Sequence, residues 1–320
     1  MKKFLNNLSL DARACIPALI SIIALFVFGQ ALSPGFASLQ NVSTIAAQAM
    51  LLLIISAGQA IVFMAGDGGI DLSVGAFVSL GALLSAEFMG GRNEMIPLGI
   101  FIAALFRGLF GLINGLGIQF LKIPALAMTL AMASVIDGFY IWYTNGMPQA
   151  QVPSLLGKVG RQWIGQLRPL ILIGILVIIA LELLMRKTNF GKNIFLIGSN
   201  KNAAALCGLK VHRYAVLAYV LSGIFASIGG MLFFGYVGAG QMRMGDDYTM
   251  MSIAAVVIGG VNVSGGRGTF IGVTLGSVVY LLITSVLVAL GLAPGVRAFF
   301  QGIILILLLI INCRSSSLRR

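Results

Sequence analysis

Apolar residues along this chain fall in long runs broken by short polar turns. Runs of spanning length lie at about 15 to 32, 45 to 65, 73 to 89, 96 to 120 and 124 to 143. They resume at 169 to 185, 214 to 234, 249 to 262, 269 to 290 and 296 to 313. An α-helix needs roughly 20 residues to cross a hydrocarbon core of about 30 Å. The runs lack the alternation of barrel strands, and hydrocarbon forces each backbone group to find its partner within its own segment, so helices are the expected form. The pattern predicts an all-α, polytopic transmembrane bundle of about ten spans, forming one domain over residues 1–320.

The polar segments predict orientation. With the N-terminus in the cytoplasm and sides alternating, fourteen Lys and Arg fall inside and six outside, while Arg107 lies within the fourth run. That bias favours an even number of spans with both termini cytoplasmic. An even ten allows five and five, divided by the external segment 144 to 168, with the second half inverted. The Gly-rich turns near 66 to 75 and 259 to 268 join spans running in the same direction and lend this no support. The basic start before an apolar run resembles a signal peptide without a cleavage site, and Ser33-Pro34-Gly35 reads as a turn after a retained first span.

Composition agrees. The chain is 59% hydrophobic and 9% charged, against about a quarter charged in soluble domains. A net charge of +12 raises nucleic acid as a partner, but the basic residues sit at segment ends and in one loop rather than on a continuous face. Contact with membrane lipid, and not with nucleic acid, is expected. Cys15, Cys207 and Cys313 are far apart and show neither disulfide nor metal spacing. No cofactor, metal or catalytic set is expected, and with His212 the only histidine, the chain reads as no enzyme.

One loop stands out. Residues 186–213 carry six Lys and Arg and no acid, as a docking surface on the cytoplasmic side would; a plain solvated basic loop is the alternative. Within it, Phe190-Gly191-Lys192 leads to Ile194 and Gly198. Asn200 is placed to cap a short helix bearing Ala203 and Ala204, which Gly208 ends.

Two glycine-rich turns follow spans. In the first, Gly68, Gly69, Asp71 and Ser73 precede a new helix that Asp71 or Ser73 is expected to cap; Asp67 and Asp71 lack the further ligands of a cation site. In the second, Gly265, Gly266 and Arg267 have the residues of a phosphate cradle but no Gly-Lys-Ser/Thr, so this chain should not hydrolyse ATP itself. A re-entrant bend or a partner contact is the better reading.

In order and spacing these stretches resemble the permease subunits of bacterial ATP-binding-cassette importers for ribose and related monosaccharides. The carrying residues are GGIDLSVG, FGKNIFLIGSNKNAAALCGL and IAAVVIGGVNVSGGRGT, with a weaker match at Asn114-Gly115 and Pro124 to Leu130. Ser199 and Cys207 depart from the usual Gly and Ser, and Lys201 and Asn202 precede the alanines. The resemblance covers about residue 35 to the end. It implies a bacterial cytoplasmic membrane location and a second permease subunit, identical or paralogous. It also implies separate ATP-binding-cassette ATPase subunits docked on a coupling helix within 190 to 208, and an extracytoplasmic sugar-binding protein. Ribose, galactose, allose and autoinducer-2-like furanoses all remain open as cargo.

Polar residues inside spans carry the remaining expectations. Arg107 and Asp137 are placed to pair between neighbouring helices, while Glu87 and Glu182 belong near interfaces. A proton-coupled secondary transporter is the rival reading, disfavoured by the docking loop and the lack of an acid or His chain. Gln59, Asn114 and Asp137 are candidate positions along a solute path. Tyr140, Trp142 and Tyr143 suit an aromatic belt. Arg161, Arg168, Arg243, Asp246 and Asp247 are placed to meet a binding protein outside.

Overall fold

A computed structural model describes residues 10–145, 151–163 and 165–317. Lys2, Lys3, Arg319 and Arg320, which contribute to the orientation argument, lie outside the described residues. The α-helices of six residues or more are α1 Leu10–Leu32, α2 Leu39–Ala65, α3 Val74–Met89, α4 Ile96–Gln119, α5 Ala125–Thr144, α6 Pro169–Lys187, α7 Asn189–Ser199, α8 Lys201–Leu206, α9 Val211–Val237, α10 Asp246–Ile258, α11 Phe270–Ala289 and α12 Pro294–Ser317. Ten of them occupy the ten predicted runs, and α7 and α8 fall in the basic loop. The chain is an all-α polytopic membrane protein.

Local chemistry sets the boundaries. Ser38, Thr188 and Thr269 cap α2, α7 and α11 by accepting the amides of Asn41, Gly191 and Gly272. Proline near the first position opens α4 and α6, where its missing N–H costs nothing. Among the described residues 7 helices are long and apolar enough to cross a membrane. Two are short. α3 has 16 residues and α10 has 13, or about 24 and 20 Å against a core of about 30 Å. The predicted eighth run reaches 262, but α10 stops at Ile258 because Gly259 follows and Gly260 adopts φ 79°.

The hub is α9, packed against α2, α3 and α4. Glycines permit the approach: a Cβ on Gly223 would lie 2.6 Å from the Arg107 carbonyl oxygen. In lipid, where hydrophobicity supplies no drive between helices, such closeness yields dispersion and buried contact. Side chains such as Trp142, Leu176 and Phe299 project outward.

The two halves space the starts of their helices similarly. α2, α3, α4 and α5 begin at 39, 74, 96 and 125; α9, α10, α11 and α12 begin at 211, 246, 270 and 294. α2 and α9 run antiparallel, with Gly58 against Ser222 and Ile55 against Gly229.

Candidate functional site

Two neighbourhoods gather the sequence motifs. The first lies at the basic end of the bundle, where α2, α7 and the 260 to 269 turn meet. The Gly266 amide donates to the Met64 carbonyl at 3.0 Å. A Cβ on Gly66 would sit 2.9 Å from Gly198 Cα, and one on Gly265 would sit 2.7 Å from the Gly198 carbonyl oxygen. Thus Gly66, Gly198 and Gly265, one from each motif, form a backbone-on-backbone knot that no side chain can enter.

From this knot the polypeptide turns through Asn200 into α8. The Asn200 side chain accepts the Ala203 amide at 2.9 Å, and Gly208, at φ 80°, follows the helix, both as expected. Ala204 is buried beside Ile197 and Val211. The other face of α8 is open: Ala203 and Ala205 are exposed, and Leu206 is 90% exposed. Phe190 lies 6.1 Å from the Tyr214 ring, Gly191 is buried and Lys192 is exposed. Arg267 is exposed while its carbonyl accepts the Asn262 amide at 3.1 Å.

The second neighbourhood is the buried crossing of α3 and α10. The Gly75 amide donates to Thr249 Oγ1 at 2.9 Å, and reciprocally the Gly245 amide donates to Ser79 Oγ at 2.9 Å. Two helix N-termini, each with a partial positive charge, therefore meet inside the bundle. Asp71 stands just before α3, and Asp246 and Asp247 occupy the first turn of α10, which offsets the two dipoles.

Asp71 is fully buried. Its Oδ1 accepts the Ser73 amide at 3.0 Å and the Ser73 hydroxyl; its Oδ2 accepts the Ser222 hydroxyl at 2.7 Å. Asn114 Nδ2 donates to Ser73 Oγ at 3.1 Å, and the Leu72 amide donates to Thr129 Oγ1 at 3.1 Å. Neither Asp71 nor Ser73 caps α3 by side chain, contrary to expectation. They bind each other and the neighbouring helices α4 and α9 instead. Gly68 is left-handed at φ 66°, and Gly69 packs under Tyr219.

Below this cluster a cavity of about 650 Å³ opens at the basic end. Ile118, Ala125 and Ala218 line it, each one helical turn from Asn114, Thr129 and Ser222 respectively. Asp67, Lys122, Lys201 and His212 also border it.

Other expectations fare variously. Arg107 does not pair with Asp137. Arg107 is fully buried against α3, with Nη1 donating to the Phe77 carbonyl while Nε and Nη2 have no partner. Asp137 meets Arg243 at 3.5 Å, and Arg243 also meets Asp246 at 2.8 Å. The three path candidates are not brought together: Asn114 joins the Asp71 cluster, Asp137 joins Arg243, and Gln59 is buried with neither amide atom bonded. Arg168 turns inward, bonding Thr44 Oγ1 at 2.8 Å and the Gly160 carbonyl at 2.9 Å. Glu182 pairs with Arg186 at 2.7 Å and accepts the Ile271 amide at 3.1 Å, closing the start of α11. Trp142 and Tyr143 are exposed, but Tyr140 is buried and donates to the Gln241 carbonyl at 3.2 Å. Among the described residues there is no group of His, Cys, Asp and Glu able to hold a metal ion.

Several known proteins resemble this chain along most of its length. The galactose/methyl galactoside import permease protein of Escherichia coli is 32% identical over 306 residues, covering 90% of each chain. The autoinducer 2 import system permease protein of Photorhabdus luminescens is 30% identical over 300 residues, covering 93% of this chain and 89% of that one. No solved structure matches. Residues 41–309 match the family described as branched-chain amino acid transport system / permease component. That span takes in the glycine knot and the crossing of α3 and α10, and the chain belongs to this family of transport permeases.

Proposed function

We propose that this chain is the membrane-spanning permease subunit of an ATP-binding-cassette importer, carrying a monosaccharide or related furanose across the bacterial inner membrane. Separate ATPase subunits supply the energy, and an extracytoplasmic sugar-binding protein delivers the cargo. A second permease subunit completes the assembly. Cargo class is suggested by the two relatives, which import galactose and autoinducer 2.

The observation that carries the reading is α8. A six-residue helix rests Ala204 on the bundle and projects Leu206 and a small-residue face into solvent. An exposed leucine on a rigid, capped helix is a hydrophobic anchor suited to a pocket in a soluble partner. On this reading α8 is the coupling helix, and the glycine knot holds its base to α2 and to the start of α11. The 186–213 loop then faces the cytoplasm, which fixes the orientation that its charge pattern favours.

Proteoliposomes test this. The chain reconstituted with the ATPase and binding protein encoded beside it is expected to accumulate galactose or ribose only with ATP on the ATPase side. Uptake by the chain alone, driven by a proton gradient, would instead make it a secondary transporter.

A further inference from the structure

The turn from Gly66 to Ser73 is tied at both ends. At the basic end the Asp67 carboxylate pairs with Nζ of Lys201, the first residue of α8. Asp67 stands at φ 62° between Gly66 at 76° and Gly68 at 66°. Three successive residues at positive φ, one of them not glycine, follow a path held by its surroundings rather than by local preference. Four residues on, Asp71 bonds Ser222 of α9; Leu72 bonds Thr129 of α5, and Ser73 bonds Asn114 of α4. Gly75 then bonds Thr249 of α10.

The ion pair has a distinct role because α8 is jointed to α7. Between them Asn200 is extended, at φ −159° and ψ 100°, so the knot at Gly198 fixes the end of α7 without fixing the tilt of α8. Lys201 is the side chain by which α8 grips the turn. As an exposed pair, at 38% and 53% side-chain exposure, it adds little to static stability. Its removal therefore leaves the fold standing and exposes any part it plays in transmission.

We infer that Asp67 and Lys201 are positioning residues for coupling: their ion pair carries displacement of α8 into the turn and so to the start of α3 at the half-helix crossing. The inference rests on the reading of α8 as the ATPase-docking helix. It identifies a pathway of named contacts, with the ion pair as its first link and the Asp71 cluster as its last.

Hydrogen–deuterium exchange on the permease assembled with its ATPase in lipid nanodiscs tests it, comparing the nucleotide-free complex with one trapped by MgATP and vanadate. In the native complex trapping is expected to change exchange both in 198–208 and in 66–79. In Asp67→Lys and in Lys201→Asp the change in 198–208 persists and that in 66–79 is lost; in the doubly exchanged D67K/K201D chain it returns. Rescue by the reversed pair separates transmission from misfolding. If both single variants keep the native change in 66–79, the ion pair does not transmit, while ATPase docking stands. If the native chain binds no ATPase, the docking reading fails and this inference with it.

Discussion

Gly75 and Gly245 meet where α3 and α10 begin, so closely that a Cβ on Gly75 would lie 2.7 Å from the Gly245 carbonyl oxygen. The contact is reciprocal, since each amide is satisfied by a hydroxyl one turn inside the other helix. Either Gly75→Ala or Gly245→Ala should part the helices and break both bonds, at a cost of about 1–3 kcal/mol for overpacking. Gly138→Ala on α5, where nothing lies within 4 Å, is the control and should stabilise by about 0.5–1 kcal/mol through helix propensity. Thermal unfolding in detergent, followed by intrinsic fluorescence, distinguishes these outcomes.

Asp71 gathers donors from its own turn and from α9. Asp71→Ala would leave the Ser222 hydroxyl and the Ser73 amide without their buried acceptor, costing about 1–3 kcal/mol. Ser222→Ala removes one donor only, and should cost less in the same unfolding measurement. Equal losses from the two substitutions would mean that the carboxylate holds the turn through Ser222 alone.

Arg107 presents the opposite case, a buried guanidinium with two nitrogens unbonded. Burying a charge without full pairing is costly, and replacement by an apolar side chain of similar volume is often neutral or stabilising by about 1–4 kcal/mol. Arg107→Met is therefore expected to leave the unfolding midpoint unchanged or raise it. A lowered midpoint would show that the bond to the Phe77 carbonyl outweighs the desolvation.

Gly198 and Gly208 bracket α8 yet differ physically. A Cβ on Gly198 runs into the Met64 carbonyl and the Gly266 amide, whereas one on Gly208 meets nothing and suffers only from φ 80°. Gly198→Ala should spread the knot and weaken ATPase binding at least about tenfold, as a loss of about 1.4 kcal/mol would. Gly208→Ala should change it little. Titration of the ATPase against immobilised permease gives both constants.

Much of this was legible in the sequence because it depends on residue type. Unbroken apolar runs fixed the helices, Asn200 and Gly208 marked the ends of α8, and the charge of 186–213 marked its loop. The rest depends on pairing across the fold. Nothing in the order of residues says that Gly75 faces Gly245, since that contact depends on how α3 and α10 cross rather than on residue type. Adjacent spans suggest a pair between Arg107 and Asp137, but the two side chains point apart, one to α3 and the other to Arg243. Asp71 looked like a cap because caps are local, whereas its second oxygen is taken by Ser222, 151 positions away.

Docking of the ATPase on the open face of α8 would engage Leu206, whose side chain is 90% exposed and whose loss disturbs no packing. Binding of the ATPase to the native chain and to Leu206→Glu should be compared in nanodiscs. The charge is expected to weaken binding by about 30-fold or more, roughly 2 kcal/mol for a buried anchor, with the unfolding midpoint unchanged. Equal affinity for the two chains would contradict it and place the docking surface elsewhere.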